Sequence, residues 1–154
     1  MTKDWRLTNQ ERVRTSGSVG IRDRGLTAAL DRKECVLTRD EARLLAEHWI
    51  AAWNAHDLEA ILSHYDEQVE LTSPVAAQLL GIPDGKVTGK ASLREYFRRG
   101  LEAYPALRFD LEDLLSGLNS LVLYYTNQKG TRTGEFMELA ANGKVKRVIA
   151  HYGI

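Results

Sequence analysis

Three regimes of apolar spacing follow one another along this chain. Residues 1–36 carry no sustained repeat of either 3.6 or 2. Helical spacing begins at Thr38. Thr38-Arg39-Asp40-Glu41 fits a capping box, in which the threonine oxygen accepts the backbone N–H three residues on and the glutamate reaches back. Leu45, Trp49, Ala52 and Trp53 then fall on one stripe. Asn54-Ala55-His56 interrupts it, and Asp57 is placed to cap a second helix. There Leu58, Ile61, Leu62 and Tyr65 stand at i, i+3, i+4 and i+7.

The period then changes to two. Val69, Leu71 and Ser73 share one face of a strand, and Glu70 and Thr72 share the other. Pro74 is expected to end that strand, and Pro83-Asp84-Gly85 to sit in a loop. Helical spacing returns from about Lys90, with Leu93, Phe97, Leu101 and Tyr104 aligned and a stop at Pro105. From Leu107 onward four strands are predicted, the last two joined at Asn142-Gly143, a strong hairpin signal. Helices first and a run of antiparallel strands after is an α+β layout.

Composition narrows the classes of function. The chain has 154 residues, 44% hydrophobic and 27% charged, enough apolar material for one real core. Its formal net charge is zero, so no bulk attraction to nucleic acid or to an anionic membrane is expected. No stretch is long and apolar enough to span a bilayer, and the N-terminal residues lack a secretion signal's apolar core. One cysteine, Cys35, allows no internal disulfide. A cytoplasmic protein is therefore expected. Residues 1–36, with Arg6, Arg12, Arg14, Arg22, Arg24 and Arg32, are expected to form a flexible basic tail ahead of a domain over 37–154.

Several segments bear a resemblance to a known superfamily. Trp49 to Ile61 resembles the opening helix pair of nuclear transport factor 2-like (NTF2-like) proteins of the SnoaL-like type. Tyr65 to Pro74 is similar to their first strand, Gly89 to Phe97 to their third helix, and Asn142 to Val145 to their last hairpin. The resemblance implies a cone-shaped half barrel, in which a curved antiparallel sheet wraps the helices around an apolar pocket. It also implies a homodimer through the sheet face. The superfamily holds isomerases, cyclases, dehydratases, epoxide hydrolases and non-catalytic binding proteins, so the fold alone does not choose among them.

Comparison with the ketosteroid isomerases of that superfamily tests one chemistry. Their base aligns with Ser73, their donor tyrosine with Trp49 and their second acidic donor with Glu135. A serine without a partner base removes no proton at neutral pH, and an indole is a far weaker acid than a phenol. Ketosteroid isomerisation is therefore rejected. Glu135 keeps its carboxyl and, by the same alignment, points inward with Met137 and Leu139. There its pKa would rise and suit acid–base work, whereas a register one residue off would put it in water.

The candidate catalytic residues are thus Glu135 and Tyr124. Trp49, Trp53, Tyr65, Ser73, Phe97, Met137 and Tyr152 are the candidate ligand-binding set. The four histidines, His48, His56, His64 and His151, lack metal-site spacing, and no metal or cofactor is expected. The expected ligand is a small, largely apolar molecule, with cofactor-independent acid–base chemistry, or with binding alone as the alternative. Leu121, Leu123, Tyr125, Ile149 and His151 are expected to face outward and supply the dimer surface.

Overall fold

In the computed structural model of the chain, which describes residues 36–154, Thr38 starts the first helix as its neighbours require. The Glu41 N–H donates to Thr38 Oγ1 at 3.2 Å, and the Glu41 carboxylate accepts the Thr38 N–H at 2.8 Å. Helix α1 (Arg39–Asn54) buries Ala42, Ala46, Trp49, Ala52 and Trp53 along one face. Leu37, just before it, is buried and donates its N–H to Leu118 O at 2.7 Å. The tail expected over residues 1–36 lies, up to residue 35, outside the described residues.

Asp57 caps α2 (Leu58–Leu62) by accepting from Ala60 N–H at 3.0 Å. This helix is one turn long, and at its end Ser63 folds its hydroxyl back onto Ala60 O. Tyr65, expected at the end of that helical stripe, instead opens strand β1 (Tyr65–Thr72) and is buried there. Two further elements occupy the stretch expected to be a loop. Helix α3 (Pro74–Leu80) has Ser73 as its N-cap and Gly81 in the left-handed region at its end. Pro74 therefore begins a helix as well as ending a strand, since proline at the first helical position loses no hydrogen bond. Strand β2 (Lys86–Thr88) follows and pairs antiparallel with β1.

Helix α4 (Lys90–Ala103) leads to strands β3 (Phe109–Ser116), β4 (Ser120–Asn127), β5 (Arg132–Leu139) and β6 (Val145–Tyr152). The six strands form one unclosed sheet in the order β2-β1-β6-β5-β4-β3, and every neighbouring pair but β1–β6 is antiparallel. The α+β half-barrel class expected from the sequence is the fold observed. Helix α1 packs on β3 and α4 on β1, and Trp49 of α1 and Phe97 of α4 meet the buried strand residues Tyr125 and Tyr65.

Cross-strand register decides which side chains meet those helices. One row joins Leu121, Met137 and Val148; the next joins Leu123, Glu135 and Ala150; a third joins Tyr125, Thr133 and Tyr152. All but Tyr152 are buried. Two expectations are corrected here. Leu121, Leu123 and Tyr125 face the core and contribute nothing to an outer surface. Tyr124, expected beside Glu135, stands half-buried on the opposite face, because neighbours in a strand point to opposite sides. Strand β4 reads Leu-Val-Leu-Tyr-Tyr, apolar on both faces, so its own composition does not set its parity. Ile149 and His151 do lie on the outer face, half-buried and exposed.

Among the described residues no helix is long and apolar enough to cross a membrane.

Candidate functional site

Between the helices and the inner sheet face lies a cavity of about 260 Å3. Aromatic rings make most of its wall. Trp49 stacks on Phe109 with centroids 5.7 Å apart, Trp53 meets Phe97 edge-on at 4.8 Å, and Phe109 tilts against Tyr125 at 4.5 Å. The exposed edge carries Gln128 and Lys129, on the turn between β4 and β5. Lys129 Nζ stands 5.2 Å above the ring of Tyr104, which follows α4.

Among the described residues Glu135 is the one carboxyl on the cavity wall, and only 6% of its surface is exposed. Strand pairing places it between Leu123 and Ala150, two residues that offer it no hydrogen bond. Its partner comes from the next row: Tyr125 Oη donates to Glu135 Oε2 at 2.8 Å. Burial pushes the Glu135 carboxyl up to about 7, against the opposing pull of the Tyr125 hydrogen bond. Burial, and then the charge of Glu135, hold Tyr125 far above the ordinary tyrosine range, so it stays protonated and donating. A carboxyl that titrates near neutrality in a water-poor site can release or take up a proton at little cost.

A second polar group lies on the same wall. Ser73, 2% exposed, accepts the Val75 N–H at 3.1 Å as the cap of α3. The Tyr96 hydroxyl donates to Ser73 Oγ at 3.4 Å, and Tyr152 Oη lies 3.5 Å from the same atom. Gly85 locks the serine backbone: Ser73 N–H donates to Gly85 O at 3.0 Å. A Cβ at residue 85 would stand 2.4 Å from Ser73 O, and its φ of +62° suits glycine besides.

Six of the nine candidates from the sequence line this cavity: Trp49, Trp53, Ser73, Phe97, Glu135 and Tyr152. Three do not. Tyr65 lies behind the wall, where its hydroxyl accepts the Trp49 indole N–H at 2.8 Å. Met137 is fully buried in the row beyond Glu135, and Tyr124 is on the outer face. Tyr125, Tyr96 and Thr133 were missed. Tyr96 is three residues after Leu93 on the buried stripe of α4, a signal present in the sequence. Tyr125 and Thr133 become visible once the β4–β5 register fixes them opposite each other. Two lining residues, Trp53 and Thr133, hold buried polar atoms, Nε1 and Oγ1, that have no hydrogen-bond partner among the described residues. Among those residues, too, no group of three or more metal-ligating side chains is gathered.

The family model for the SnoaL-like domain matches residues 46–152. No curated protein matches the chain. Among solved structures, a SnoaL-like protein of unknown function from Burkholderia thailandensis E264 is 36% identical. The match covers 77% of this chain and 99% of that one, with a TM-score of 0.74. An NTF2-like protein of unknown function from Cytophaga hutchinsonii is 14% identical, over 73% of this chain and 89% of that one, with a TM-score of 0.56. SalBIII, an epoxide hydrolase/cyclase-like enzyme in pyran ring formation, is 17% identical, over 75% and 92%, with a TM-score of 0.59. The last two likenesses concern the fold alone.

Proposed function

The chain belongs to the SnoaL-like domain family, and from that premise we propose that its cavity takes up a small, largely apolar molecule and that Glu135 moves a proton on it without a cofactor. One observation carries this reading. Glu135 is a buried carboxyl on an aromatic wall, hydrogen-bonded among the described residues only to Tyr125 and brought up to about 7 by burial. At neutral pH both protonation states are populated, so one residue serves as acid or as base. The chemistries that suit such a group are proton removal beside a carbonyl and protonation of an oxygen in ring opening or closure. The fold neighbour SalBIII is an epoxide hydrolase/cyclase-like enzyme with a role in pyran ring formation.

The test is deuterium exchange. Small apolar ketones are incubated with the protein in D2O, and incorporation next to the carbonyl is followed by NMR. Incorporation above background that disappears in Glu135→Gln supports proton transfer. Ketone binding without incorporation favours the second reading, a non-catalytic binding domain. That reading has its own support in Ser73, which stands where a carboxylate base would be needed in an isomerase. The absence of both binding and incorporation would refute both readings.

We propose in addition a two-fold homodimer through the outer sheet face. There Val122, Phe136 and Ile149 form a half-exposed row across three strands, with Tyr124 beside it.

A further inference from the structure

The hydroxyls of Ser73, Tyr96 and Tyr152 do not balance. They hold three O–H protons but make only two contacts with one another, Tyr96 to Ser73 at 3.4 Å and Ser73 to Tyr152 at 3.5 Å. Ser73 Oγ has two lone pairs. One accepts the Val75 N–H and the other the Tyr96 hydroxyl. Its own proton must then serve Tyr152 Oη, and the Tyr152 proton is left without an acceptor among the described residues. Ser73 cannot turn away from this role, because its backbone is tied to Gly85 and its side chain caps α3.

The unused proton belongs to a cavity residue. Tyr152 ends β6 on the inner face, directly opposite Thr133, whose own hydroxyl is buried without a partner among the described residues. Burial, and then the charge of Glu135, hold Tyr152 up at about 12, so its proton stays in place at neutral pH. Tyr152 is only partly buried, so this donor faces whatever fills the cavity, and a bound molecule with an acceptor oxygen can take the proton for which the described residues supply no acceptor.

We infer that Tyr152 donates a hydrogen bond to an oxygen of the bound molecule, so that the site selects small apolar carbonyl compounds. This rests on the reading that the cavity holds a small apolar molecule. A carbonyl fits the need because it accepts and cannot donate, and the Ser73 lone pairs are already filled. The size follows from the cavity: 260 Å3 is the volume of about nine waters at ~30 Å3 each, room for one substituted ring. Tyr152 is thus a specificity determinant separate from Glu135.

Acetophenone and its oxygen-free counterpart ethylbenzene are the probes, titrated by NMR against wild type and Tyr152→Phe, which removes one oxygen and keeps the ring. Carbonyl-labelled acetophenone supplies an infrared stretch. Wild type should bind acetophenone with a stretch lower in frequency than in Tyr152→Phe. The variant should bind acetophenone about fivefold more weakly, the loss of roughly one hydrogen bond, and ethylbenzene within about twofold of wild type. An identical stretch in the two proteins, or an equal change for both probes, overturns the inference while leaving the small-molecule reading standing. If neither probe shifts the Trp49 and Trp53 indole signals of the wild type, the cavity reading falls, and this inference with it.

Discussion

Replacing Glu135 by glutamine tests the buried carboxyl through stability alone, with no ligand needed. The folded protein holds this carboxyl at about 7 and the unfolded chain at about 4.5. Between those values the native state binds more protons than the unfolded one. Stability therefore falls as pH rises through this window, and the loss is complete above about 7. The separation of about 2.5 pH units, at about 1.36 kcal/mol each, is a cost of roughly 3 kcal/mol at alkaline pH. About 2.5 kcal/mol of it accrues between pH 5 and pH 8. Glutamine carries no proton to lose, so Glu135→Gln escapes this dependence. Any packing cost of its amide is the same at both pH values and cancels in the difference. Urea denaturation of both proteins at pH 5 and pH 8 measures the quantity directly. Relative to wild type, the variant should gain about 2–3 kcal/mol on going from pH 5 to pH 8. Surface carboxylates such as Glu95, held down at about 2 by Arg98 and Arg99, are common to both proteins and drop out. Parallel pH profiles for the two proteins would refute the reasoning and return Glu135 to an ordinary, hydrated state.

Three other outcomes are expected. Thr133→Val replaces a buried hydroxyl, without a partner among the described residues, by a methyl group of similar shape, and its melting temperature should equal or exceed that of wild type. Asn54→Ala should cost about 2 kcal/mol in urea denaturation. Its side chain holds Phe109 at both backbone groups, donating to the carbonyl at 2.9 Å and accepting from the N–H at 2.7 Å, and both would be left unpaired. Sedimentation at micromolar concentration should give twice the 17.3 kDa chain mass, and Phe136→Lys should shift the protein to the monomer; a wild-type monomer would remove the dimer proposal.

The parts of this fold that could be read from the sequence are those where one local rule acts alone. Thr38 and Glu41 make a capping box wherever a helix follows them, and Asn142-Gly143 allows little but a turn. Alternation with polar residues fixed the faces of β1, where Val69 and Leu71 are buried and Glu70 and Thr72 exposed. Two competing signals hid the rest. Pro74 and Ser73 spell both a strand end and a helix start, and only the pairing of β2 with β1 selects the short helix between them. In β4 both faces are apolar, so its parity comes from its neighbours: Glu135 and Thr133 on β5 pair with Leu123 and Tyr125. For that reason the tyrosine beside Glu135 was expected at 124 and found at 125. Donor counting around Ser73 lay further still from the sequence, since Tyr96 and Tyr152 reach it from a helix and a strand that are distant along the chain.

The most direct measurement is the titration of Glu135 itself. Protein labelled with carbon-13 at the glutamate side-chain carboxyl is followed by NMR from pH 3 to pH 9, and the Glu135 signal is assigned by its loss in Glu135→Gln. A midpoint near 7 is expected, with a further rise when ethylbenzene fills the cavity and displaces what water remains. A midpoint near the ordinary 4.5, unmoved by the hydrocarbon, would place the carboxyl in contact with water and deprive the cavity of its proton-transfer group.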